Sequence, residues 1–220
     1  MENKDDLPQF TFRFTSNKST DFENLVRLVE TNPEIVNIKN GICRKSLLHL
    51  SIENQRTEMV NFLLEKGSRQ LYDINGNRPL HIACLSGNKE ILEILINYGA
   101  DVEWSNLDGD KPIHLASACE NVEVLVTLLS AGADMMSRGA NGNYALHAAA
   151  FNPNVSVLKE LLARGFDTTV LNDNEDTALH IAAGASRFDS REHIEALTIA
   201  GAMLDSRYFN SAIGHTEEYI

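Results

Sequence analysis

The 220-residue chain is 43% hydrophobic and 23% charged, which supports a folded core in one large or two small domains. Nineteen Lys and Arg against 31 Asp and Glu leave a formal charge of −12. That balance repels phosphate backbones and anionic lipid heads, so it argues against nucleic acid and membrane surfaces and favours a protein partner with a basic or mixed-charge surface.

The opening Met1-Glu2-Asn3-Lys4-Asp5-Asp6 lacks the basic flank and apolar centre of a signal peptide. No apolar run approaches the roughly 20 residues that cross a bilayer. Residues 1–18 carry an alternating Phe10-Thr11-Phe12-Arg13-Phe14, expected either as a strand-like cap packed over the end of the fold or as a flexible arm, with the packed cap favoured. Thr20-Asp21-Phe22-Glu23 then fits a capping box opening a helix through Asn24-Leu25-Val26-Arg27-Leu28-Val29.

From there the chain repeats itself. His49, His81, His114, His147 and His180 are spaced by 32, 33, 33 and 33 residues, each after an apolar residue, as in Arg78-Pro79-Leu80-His81 and Thr177-Ala178-Leu179-His180. Gly67, Gly99, Gly132 and Gly165 each follow a histidine by 18 residues, and Gly201 follows the fifth by 21. Asn75-Gly76, Asp108-Gly109 and Asn141-Gly142 are tight-turn dipeptides that tolerate positive φ. Two amphipathic segments follow each turn, and a glycine ends the second. The expected helices are 46–54 and 57–66, 79–86 and 89–98, 112–119 and 122–131, 145–151 and 155–164, and 178–185 and 191–200.

These residues resemble the ankyrin repeat, whose pattern is D-x-x-G-x-T-P-L-H-x-A followed by a helix ending in L-L-x-x-G-A-D. The best copies are residues 73–83 with 95–101 and 106–116 with 128–134. The resemblance implies an all-α solenoid of stacked helix-turn-helix units joined by β-turn or hairpin loops. It divides the chain into an N-terminal arm or cap (1–18), five to six repeats (19–205) and a tail or incomplete repeat (206–220). The copies depart from the pattern at Glu175, where the turn glycine belongs, in three extra residues within 184–193, and at Arg44, the glycine position of an offset first turn. The C-terminal repeat is therefore expected to be the loosest.

Equivalent histidines in neighbouring repeats lie about 8–10 Å apart, too far to share one metal ion, so each is expected to fix its turn by hydrogen bonding. Cys43, Cys84 and Cys119 are odd in number and form no CxxC, which points to thiols in a reducing compartment, the cytosol or nucleus. No nucleophile–base pair, phosphate loop or carboxylate pair suggests catalysis, and no cofactor is indicated. Ankyrin proteins generally contact partners through turn tips and the outward side of the first helix. The resemblance thus directs attention to Tyr72, Leu85, Trp104, Leu107, Asp108, Asp110, Arg138, Asn143, Phe151, Leu171, Asp173 and Asp176. Ile74, Asn77 and Ala118 occupy further positions of the same kind. Aromatic and aliphatic anchors with acidic surroundings would suit a protein hot spot.

The expected function is a monomeric, non-catalytic adaptor or scaffold. The alternatives are a stoichiometric inhibitor, resembling those that mask NF-κB transcription factors or cyclin-dependent kinases, and a host-directed effector.

Overall fold

The computed structural model describes Phe12, residues 14–185 and residues 189–202. Within them, α1 (Lys18–Thr31) and a 3-10 turn (Pro33–Asn37) precede a two-stranded hairpin, β1 (Lys39–Asn40) and β2 (Lys45–Ser46). Five helix pairs follow: α2 (Leu47–Glu53) with α3 (Thr57–Glu65), α4 (Pro79–Ser86) with α5 (Lys89–Asn97), α6 (Pro112–Ala118) with α7 (Val122–Ser130), α8 (Ala145–Ala150) with α9 (Val155–Ala163), and α10 (Ala178–Gly184) with α11 (Arg191–Ile199). Every helix expected in the five pairs is present, with ends displaced by no more than one residue.

Helices this short are marginal alone in water, and stacking supplies the missing burial. The first helices α2, α4, α6, α8 and α10 pack in succession as an inner layer; α3, α5, α7, α9 and α11 form the outer one. Leu48, Leu80, Ile113, Leu146 and Leu179, each just before a histidine, are buried throughout. Two residues after four of the histidines stand Ala83, Ala116, Ala149 and Ala182, all at 0% exposure, whose small side chains let neighbouring inner helices approach closely. The outer layer is keyed by Leu63, Leu95, Leu128, Leu161 and Leu197.

The N-terminus differs from the capping-box reading. Helix α1 starts at Lys18, earlier than Thr20, and its cap is Asn17, whose side chain accepts the amides of Ser19 and Thr20. Asp21 is instead fully buried and accepts the Thr15 amide at 2.9 Å, the Thr15 hydroxyl at 2.8 Å and the Arg56 guanidinium at 3.0 Å. Burial pushes the Asp21 carboxyl up, but Thr15 and Arg56 together hold it below the ordinary carboxylate value. Arg56 also donates to the Thr15 carbonyl and lies 5.8 Å from the Phe14 ring, which meets Phe12 edge-on at 5.1 Å. Both rings pack against the core. Phe10 and residues 203–220 lie outside the described residues.

At the opposite corner, asparagines do two jobs. Asn88, Asn121 and Asn154 cap α5, α7 and α9. Asn121 and Asn154 also donate their side-chain amides back to the preceding repeat, at Gly87 and Glu120.

Candidate protein-interaction surface

The turn tips are built from the histidines outward. In each repeat Nδ1 accepts the amide three residues earlier, for instance Arg78 N to His81 at 3.2 Å and Lys111 N to His114 at 3.0 Å. The ring proton therefore resides on Nε2, which donates to a carbonyl of the next tip: His49 to Asn77, His81 to Asp110, His114 to Ser137 and His147 to Asp176. Burial pushes the imidazoles of His49, His81 and His147 below the ordinary histidine value, keeping them neutral. Among the described residues, no group of three or more His, Cys, Asp or Glu side chains converges where a metal ion could be held.

Successive tips are also hydrogen-bonded directly. Ile74 N donates to Cys43 O at 3.1 Å, Leu107 N to Asn75 O at 3.0 Å, and Asp173 N to Asn141 O at 3.0 Å. Gly76 lets Leu107 sit this close: its φ is +76°, and a Cβ there would lie 2.6 Å from Leu107 N. Side chains add a second ladder, Asn106 to Asn77 at 3.0 Å and Asn172 to Asn143 at 2.9 Å. Between them position 139 is glycine, so Asp110 Oδ1 reaches over it to accept Ala140 N at 2.8 Å.

Thus the residues expected at an interface divide into two groups. Asp110, Asn143 and Asp176 are partly buried and spend polar groups on joining repeats, and Arg138 pairs with Asp173 at 2.8 Å across two tips. Asp108 is exposed, as are the apolar set: Tyr72, Trp104, Phe151, Leu171 and Leu85 at about half of their surface, and Leu107 at 74%. Leu85 and Phe151 occupy equivalent ends of inner helices α4 and α8, separated from the tip residues along the repeat.

Two features were not expected. Ile42 is 87% exposed and stands in register with Ile74 and Leu107, which makes an aliphatic ridge along three tips. The 32-residue spacing between the first two histidines carries that register, one residue short of the regular period. Further, the rings of Tyr72 and Trp104 are covered by cations rather than ringed by acids: Lys39 Nζ lies 3.8 Å from the Tyr72 centroid and the Arg78 guanidinium 3.8 Å from that of Trp104.

The three cysteines are free thiols. No helix among the described residues is long and apolar enough to cross a membrane.

Comparison with known proteins agrees with this geometry. A family model described as ankyrin repeats, in three copies, matches residues 15–106, 48–139 and 113–207. Two putative ankyrin repeat proteins of Acanthamoeba polyphaga mimivirus, R96 and L92, are 32% and 38% identical over 38% and 32% of the chain, spanning 8% and 17% of their own lengths. A leucine--tRNA ligase 2 of Sulfurisphaera tokodaii is 33% identical over 48% of the chain, a stretch amounting to 11% of that protein. The chain therefore spans less than a fifth of each of these relatives. With the family model spanning almost all of the described stack, and the histidine-linked tips recurring at its period, the chain belongs to the ankyrin-repeat family.

Proposed function

We infer that this chain is a non-catalytic adaptor or scaffold that holds another protein against its turn tips, acting as a monomer in the cytosol or nucleus. The observation that carries the reading is the ridge of Ile42, Ile74 and Leu107: three large aliphatic side chains exposed in register on a backbone fixed by tip-to-tip hydrogen bonds. Exposed apolar groups in a row, on a support that loses little conformational freedom on binding, favour association with an apolar knob of a partner. Asp108 beside Leu107 adds negative charge, which a Lys or Arg near that knob would match.

The test is affinity capture from a lysate with the wild-type chain and with an Ile74→Ala/Leu107→Ala variant, quantified by mass spectrometry. Proteins enriched by the wild type and lost by the folded variant support tip binding; equal enrichment by both removes it. Titrating an identified partner then separates scaffold from inhibitor, since only an inhibitor suppresses that partner's activity at one-to-one stoichiometry.

A further inference from the structure

The charge around Tyr72 and Trp104 runs against that of the whole chain. Lys39 lies on the Tyr72 ring at 3.8 Å, Arg44 is 5.5 Å from the same ring, and Arg78 lies on Trp104 at 3.8 Å. They come from the first hairpin and the next repeat, and the fold brings them together. None of the three forms an ion pair with a carboxylate among the described residues, whereas Lys45, Lys89, Lys111, Arg138, Lys159 and Arg164 all do. The nearby acid is Asp73, which is buried and whose Oδ1 is occupied by the amides of Asn75 and Asn77. Burial chiefly, with Arg44 and Arg78 adding to it against the opposing pull of Asp73, holds the Lys39 ammonium below its ordinary value.

We propose that Lys39, Arg44 and Arg78, presented on the exposed rings of Tyr72 and Trp104, form a docking site for an acidic protein segment carrying an apolar residue. The chemistry follows from the contacts. A guanidinium held 3.8 Å over an indole is attracted by the ring and still has N–H groups for a carboxylate, since Arg78 commits one of its nitrogens to the Gln70 carbonyl. Charge-assisted bonds of this kind are among the strong ones, and the two half-exposed rings give an apolar side chain a surface to cover. The formal charge of −12 selects against an extended polyanion such as nucleic acid, whose remaining phosphates would face acidic surface, but a short acidic segment meets only the local patch.

This site deepens the proposed binding role and rests on it, yet its test is separate. Fluorescence anisotropy would follow a labelled short peptide pool in which Glu and Asp flank a Leu or Phe, against a matched pool with Lys for the acids and a single-stranded oligonucleotide of similar charge. The expected result is salt-sensitive binding of the acidic pool alone, weakened about tenfold or more by Arg78→Gln or by Lys39→Gln with Arg44→Gln. Lys159→Gln, on outer helix α9, should leave it unchanged. Equal binding of acidic and basic pools, equal binding of the oligonucleotide, or indifference to the three substitutions in variants folded by circular dichroism overturns the site. If it fails while Ile74→Ala/Leu107→Ala still abolishes capture of a protein, the adaptor reading stands and this site alone falls.

Discussion

The Asp110 carboxylate reaches across the tip of the following repeat to accept the backbone amide of Ala140 at 2.8 Å. Neighbouring tips make the same junction with asparagine pairs, and Asp110 substitutes for one because Gly139 offers no side chain. A Cβ at Gly139 would also lie 2.8 Å from the His114 ring. Gly139→Ala is therefore expected to cost about 1–3 kcal/mol by overpacking, and Asp110→Ala about 1–2 kcal/mol through the orphaned amide. Urea unfolding monitored by circular dichroism measures both. Asp110→Lys is for the same reason unsuitable as a test of interface charge.

Acid should weaken the stack from near neutrality. Burial depresses the imidazoles of His49, His81 and His147 below 6.5, so on acidification the unfolded chain takes up protons before the folded one. Stability from these groups is complete above about pH 6.5 and is lost as pH falls toward the depressed values. Asp21, held below 3.8, adds its loss only at much lower pH. Urea midpoints should fall on going below pH 6.5, and less steeply in His81→Gln, compared with its own neutral-pH value.

The N-terminal clamp should act locally. Removing Arg56 leaves Asp21 buried without its ion pair, a change that costs about 3 kcal/mol when it breaks such a pair. Coupling passes chiefly between neighbours, so α1 should lose hydrogen-exchange protection in Arg56→Ala while α6–α9 keep theirs. Uniform loss along the stack would contradict this.

Glu175 adopts φ +63° in the place where three other repeats use Gly76, Gly109 and Gly142 and the first uses Arg44, at φ +53°. Glu175→Gly should stabilise the last repeat by about 0.5–1 kcal/mol, after the entropy that glycine adds to the unfolded chain. In the wild type, amides of α10 and α11 should exchange faster than those of α4–α7.

At the proposed interface, Leu107→Ala should leave stability within about 0.5 kcal/mol, since the side chain is 74% exposed. It should raise the dissociation rate of an identified partner, by about 1–2 kcal/mol if Leu107 is a hot spot. Asp108→Lys should act chiefly on the association rate and its salt dependence.

Helix positions were legible because a regular period repeats the same local signals five times, and no single ambiguity shifts the register. The start of α1 was not, since Asn17 and Thr20 both suit a helix cap. Asp21's burial against Arg56, 35 residues away, distinguishes them. The tip ladders were hidden likewise: Asp110 and Asn143 read as exposed polar residues because their partners, Ala140 and Asn172, belong to the next repeat. Cations over Tyr72 and Trp104 left no trace in a charge count, because Lys39 is paired with a ring 33 residues on, and Arg78 with one 26 on.

The two edges of the stack differ in their mechanics. Along the tips, directional hydrogen bonds such as Leu107 N to Asn75 O set a short fixed length, whereas the outer helices meet mainly through apolar side chains that can slide slightly at small energetic penalty, tied between repeats at their starts by Asn121 and Asn154. A slender body with one stiffer edge and one more compliant edge bends about the stiffer one. With that difference in stiffness, the helical side opens or closes more readily than the rise from tip to tip changes. Whatever docks along the tips therefore meets a ruler with fixed graduations, even while the rest of the solenoid behaves as a spring.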